Sequence, residues 1–247
     1  MARESTRARR ERLAEMQARQ KAAERRRLVA LVLASAFVAL AIAGGVAWAI
    51  VNDRNQRQAA LDRASGTAAS AGCDPVITDP ASGGSDHFGP GSNKPDQTKA
   101  TYPTIPPSSG PHLSTPALSE RRVYTTADAP SVESLVHNLE HGYTILWYDP
   151  SVEKSEAATF DALAKQVNAM PEAANKFIIT PWDTSRGAFP AGKKYALTHW
   201  FAKVDQATGK ISDQAGKRQL CSGLSAAAVE SFVKANPWSA APEPGAA

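Results

Sequence analysis

Cysteine is almost absent from this 247-residue chain: Cys73 and Cys221 are the only two. With no CxxC pair and no third thiol, the sequence argues against a dithiol redox centre, and no cysteine cluster competes for a metal. Also missing are a Gly-x-Ser-x-Gly elbow, a phosphate-binding glycine loop, a dinucleotide fingerprint, a clear pair of acidic residues and any internal repeat. These absences speak against serine hydrolysis, nucleotide chemistry and hydrolysis by paired carboxylates. Strong charge of one sign is missing as well, outside one short stretch. Residues 1–27 hold 10 Lys/Arg against 4 Asp/Glu, net +6, which leaves 18 against 20 in residues 28–247, net −2. The basic character therefore belongs to the N-terminal tail, and a nucleic-acid partner is not expected.

What is present begins with one long apolar run. Leu28 to Val51 is 24 residues without a charge, enough for a helix to span a bilayer with some tilt. Arg25, Arg26 and Arg27 precede it. The positive excess before the span places the N-terminus in the cytoplasm and the remainder outside. Ala47-Trp48-Ala49 resembles a signal cleavage site, but the apolar run is too long and the basic tail too extended for an ordinary signal peptide. We therefore expect an uncleaved signal anchor in the cell membrane, with residues 28–51 in contact with lipid. The two cysteines lie beyond the span, where oxidation is the default, so a Cys73–Cys221 disulfide is expected. It would close a loop of about 150 residues and add a few kcal/mol in a chain-entropy picture.

After the span, residues 52–84 read as a helical stalk fading into a linker, and residues 74–120 are rich in Pro, Gly and Ser without periodicity. The first half of that stretch is expected to be partly mobile and the second half packed on the domain. Ser131 is a helix N-cap candidate, with Val132, Leu135, Val136 and Leu139 on one face and Gly142 at the C-terminal stop. Tyr143–Tyr148 reads as a buried strand, Glu153–Ala169 as a second helix, Lys176–Thr180 and Tyr195–Val204 as strands, Gln206–Lys210 as a turn, and Ser225–Asn236 as a last helix. The order predicts an α/β or α+β domain, helices packed on a mixed sheet, over residues 85–238, with a disordered tail at 239–247.

His137 and His141 stand four residues apart on the expected helix, so they share a face. Two imidazoles so placed can meet one ion. His137-Asn138-Leu139-Glu140-His141 also fits the H-x-x-E-H pattern of inverted zinc peptidases. That match is weak, because Gly142 ends the helix at once. A hydrogen-bonded brace at a helix C-terminus is the blander explanation. A third imidazole, His112, follows the stiff loop Pro106-Pro107-Ser108-Ser109-Gly110-Pro111. His87 sits in a looser stretch, and His199 lies within an apolar strand where simple packing suffices.

The loop Pro106-Pro107-Ser108-Ser109-Gly110-Pro111-His112 and the helix Leu135-Val136-His137-Asn138-Leu139-Glu140-His141-Gly142 together resemble the bacterial family called domain of unknown function 3105. Tyr102, Val123-Tyr124, Leu146-Trp147-Tyr148-Asp149-Pro150, Ile179-Thr180-Pro181-Trp182 and Ala196-Leu197-Thr198-His199-Trp200 extend the resemblance over about residues 85–235. It implies a membrane anchor and a histidine upstream of the loop, which His87 would supply. It also implies a peripheral position for His199, where the family more often carries a small residue. It brings no established activity.

Three functional readings follow. The first is a metal site for copper or zinc with ligands His87, His112, His137 and His141, supported by Glu140, Tyr102 and Tyr143. The second is a non-enzymatic extracytoplasmic interaction module with a protein partner, in which the histidines are structural. The third, a metallohydrolase, is minor, and catalysis is not the expected role.

Overall fold

The computed structural model describes residues 2–82, 86–117, 120–205 and 207–245, with side chains from Arg12 onward. The expected domain start at 84/85, residue 206 of the expected turn and residues 246–247 of the tail lie outside them. Two compact units divide the chain, residues 1–56 and 57–247. Helix α1, Ala2–Arg63, begins in the first unit. Among the described residues it is the one helix long and apolar enough to cross a membrane, although a signal sequence would pass the same test. Its apolar side chains stand exposed, Phe37 at 74% and Leu40 at 72%. Bare apolar area of this kind suits lipid rather than water.

The second unit is α+β. Its elements are β1 (Ile77–Pro80), β2 (His87–Phe88), β3 (His112–Leu113), α2 (Val132–Glu140), β4 (Thr144–Tyr148), α3 (Glu153–Asn168), β5 (Phe177–Pro181), β6 (Tyr195–Val204), β7 (Ile211–Cys221) and α4 (Ala226–Ala235). Five strands form a mixed sheet in the order β1-β7-β6-β4-β5. Strands β4 and β5 run parallel and the other pairs antiparallel. Strand β4 explains the layering. Its alternate residues Leu146 and Tyr148 join Phe160, Leu163, Val167, Val229 and Phe232 in one core. Ile145 and Trp147 join Leu135, Val136, Leu139 and Trp200 in the other. Both faces are covered, so the strand reads as a continuous apolar run.

Several expectations hold. Ser131 caps α2, its side chain accepting from the Ser134 amide, and Ser225 caps α4 on the Ala228 amide. Gly142 follows the α2 cap at φ +88°. A Cβ there would run into the Trp238 carbonyl, so only glycine fits. The Cys73–Cys221 disulfide is formed.

Other expectations are corrected. Strand β7 was not anticipated: its eleven residues are partly exposed and include Asp213, Gly216, Lys217 and Arg218, which hides any alternation. The supposed linker contributes β1, paired on β7 with Ile77 opposite Arg218 and the Asp79 carboxylate accepting from Arg218 Nε at 2.5 Å. The tail expected to be disordered is seated on the domain over its described part: Ala241 is fully buried, Ala202 N donates to Ala240 O at 3.1 Å, and Glu243 N donates to Glu140 O at 2.9 Å.

Candidate metal centre

The loop that carries His112 is held from several sides. The Tyr102 hydroxyl donates to Pro111 O at 2.8 Å, and burial keeps this phenol well above its usual pKa range, so it stays a donor. Gly110 lies at φ +140° with the Tyr102 ring where a Cβ would point. Ser109 Oγ accepts from the Ser82 amide at 3.1 Å. Strands β2 and β3 then pair in parallel, with His87 opposite His112. This short ladder brings together two imidazoles that are 25 residues apart in sequence.

Helix α2 supplies the other side. Its last turn presents His137 and Glu140, with His141 as its C-cap. Ring centroids lie at 4.5 Å for His87–His112, 5.0 Å for His87–His137 and His112–His137, and 4.4 Å for His137–His141. Among the described residues, two groups could each hold a metal ion: His87, His112 and His137, and His137, Glu140 and His141. Within each group the ligand atoms lie within 4.8 Å of one another. Tetrahedral ligands about 2.0–2.1 Å from a zinc ion stand about 3.4 Å apart. Closure on an ion therefore needs only small side-chain rotations.

The ring nitrogens are sorted by their partners. His112 Nδ1 lies 2.8 Å from Gly110 O, and His137 Nδ1 lies 2.6 Å from Leu113 O. A carbonyl oxygen only accepts, so each Nδ1 carries the hydrogen; the His137 Nε2 lone pair is then open to an ion, while His112 Nε2 faces Glu140 Oε2 and must exchange that contact for an ion. An N–H given to a backbone carbonyl is the usual outer support of a metal-bound histidine. Desolvation, opposed by the Leu113 bond and reinforced by the neighbouring imidazoles, lowers the His137 pKa to about 4. The ring is therefore neutral at physiological pH, as a ligand must be. Glu140 is fully buried, and its Oε2 lies 2.9 Å from His112 Nε2 and 3.5 Å from His87 Nε2. Only His87 opens to solvent, with its side chain 34% exposed.

A family model described as "Protein of unknown function (DUF3105)" matches residues 93–247. The chain belongs to this family. No curated protein and no solved structure matches it. Of the candidate ligands, His112, His137, Glu140 and His141 fall within the DUF3105 segment, and His87 lies six residues before it.

The remaining expected site residues separate. Tyr102 buttresses the His112 loop, as described. The Tyr143 ring instead packs under Lys176 and Arg122, at 5.6 and 5.8 Å from its centroid. His199 belongs to the core of the DUF3105 domain: its Nδ1 is 3.2 Å from both Thr144 Oγ1 and Tyr143 O, and its Nε2 is 3.2 Å from Ala240 O. One neighbour escaped the sequence. Glu243, from the supposed disordered tail, places Oε2 3.7 Å from His141 Nε2. Nothing in APEPGAA signals this, because the contact depends on where the tail docks.

Proposed function

We propose that this DUF3105 protein is a single-pass, membrane-anchored protein whose extracytoplasmic domain binds one transition-metal ion, copper or zinc, through its histidine cluster. The observation that carries this reading is the sorting of nitrogens: His112 and His137 each give Nδ1–H to a backbone carbonyl, so the Nε2 of each points away from that bond, open at His137 and facing the Glu140 carboxylate at His112. Imidazoles with one carboxylate nearby form a donor set suited to zinc and copper. The net +6 ahead of the apolar run supports a cytoplasmic N-terminus, and a disulfide at Cys73–Cys221 suits an oxidising compartment. The test is calorimetric titration of the full chain in detergent with Cu(II) and with Zn(II). Saturable uptake that disappears in His137→Ala is expected; absence of saturable uptake contradicts the proposal.

A second reading is favoured by the same bonds seen differently. Gly110 O, Leu113 O and Glu140 give the site imidazoles protein partners, so the cluster could serve as a brace fixing the His112 loop on α2. The domain would then act as a surface module for another protein. Pull-down from native membranes separates the two: a stoichiometric partner retained by a His137→Ala/His141→Ala double variant favours the module. A hydrolase gains nothing from the geometry, since Ser109 Oγ is occupied by the Ser82 amide and α2 ends at Glu140.

A further inference from the structure

We propose that the centre offers one ion two alternative seats that share His137, an outer seat at the surface and an inner seat beneath the C-terminal strap. The inference rests on the metal-binding reading above and adds how the ion is held and moved. The outer seat is His87, His112 and His137; the inner seat is His137, Glu140 and His141. Only His137 belongs to both. Its Nδ1–H is committed to Leu113 O at 2.6 Å, so one ring nitrogen is open. A single lone pair binds a single ion. Occupation of one seat therefore excludes the other, although the ligand list looks long enough for two ions.

The seats differ in access and charge. His87 has a side chain 34% exposed, so the outer seat meets solvent. In the inner seat the Glu140 side chain is fully buried and that of His141 is 9% exposed, with Glu243 Oε2 3.7 Å from His141 Nε2. The Glu243 amide also donates to Glu140 O at 2.9 Å, which holds the strap over this seat. The outer donor set is three neutral imidazoles. The inner one exchanges an imidazole for a carboxylate, which offsets one of the two charges of a divalent ion where water is scarce. Both sets suit Cu(II) and Zn(II). Transfer keeps the His137 bond, breaks the bonds to His87 and His112, and forms bonds to Glu140 and His141. No electron is exchanged. Glu140 Oε2 already stands 2.9 Å from His112 Nε2 and 3.5 Å from His87 Nε2, within reach of both seats.

The test uses the full chain in detergent, loaded with Cu(II), with equilibrium dialysis for stoichiometry and electron paramagnetic resonance for the donor set. Wild type should take up one Cu(II). His87→Ala should also hold one, with a two-nitrogen, one-oxygen signature, and His141→Ala should hold one with a three-nitrogen signature. His137→Ala should hold none tightly. His141→Gln, which keeps a side chain of similar size, repeats the measurement should the alanine variant fail to fold. Two Cu(II) per wild-type chain would overturn the shared ligand. So would one common spectrum in wild type, His87→Ala and His141→Ala, or retained tight binding in His137→Ala. Failure of wild type to bind any Cu(II) would remove the metal centre itself and the two seats with it.

Discussion

Glu140 Oε2 and His112 Nε2 approach to 2.9 Å, while His112 Nδ1 already donates to Gly110 O. Two lone pairs would repel at that distance, so this contact carries one proton, on the ring or on the carboxylate. An ion that takes His112 Nε2 must displace it. Calorimetry in buffers of different ionisation enthalpy should therefore report about one proton released per ion bound; no buffer dependence would contradict this bookkeeping. His199 gives a prediction of a different kind. Burial, opposed by its bonds to Ala240 O and Tyr143 O, lowers its pKa to about 4, against 6.5 for an exposed imidazole. The unfolded chain thus takes a proton below pH 6.5 that the folded chain refuses until about pH 4, and stability falls as the pH falls across that window. The loss from His199 is on the order of 3 kcal/mol, and His199→Gln should flatten the slope of denaturation free energy over that range. At this scale the sequence was informative about which imidazoles lie together: His112, His137 and His141 were legible from a stiff loop and a four-residue helical spacing. His87 was legible only as a weaker candidate, because its place depends on a two-residue pairing with β3 that no local pattern announces.

Among the elements, α2 was readable from Ser131 to Gly142, since a cap, an apolar face and a stop glycine all point to one short helix. That helix sets the site, because its last turn faces β3. Gly142→Ala should destabilise the fold by about 1–3 kcal/mol for the left-handed backbone alone. The added Cβ also meets the Trp238 carbonyl, which will shift the strap or the helix end. Urea denaturation measures the first effect, and weakened metal uptake would report the second; unchanged stability would contradict this account of the turn. Strand β7 was illegible because pairing with β1 and β6 tolerates its polar residues. The Asp79 carboxylate that pairs with Arg218 comes from a distant segment, and so does Ser108, for which Gly216 leaves room.

For the whole molecule, the apolar run of α1, the cysteine pair and the α+β layout were all visible in the sequence, because each follows from composition or periodicity. The seating of the C-terminal strap was not, since Pro, Gly and Ala in a tail carry no periodic signal. The disulfide joins Cys73 to Cys221 across 148 residues of sequence. Chain entropy for so long a loop gives a stabilisation of about 3–5 kcal/mol. A Cys73→Ser/Cys221→Ser double variant should lose about that much in denaturation, while its metal stoichiometry should stay unchanged, because neither cysteine belongs to the candidate ligand groups. The most direct measurement of the central claim is X-ray absorption spectroscopy on the full-length protein loaded with one equivalent of Zn(II). The account predicts a first shell of low coordination number at about 2.0–2.1 Å with the outer-shell scattering of two or three imidazoles. A shell of oxygen ligands without imidazole scattering would contradict it.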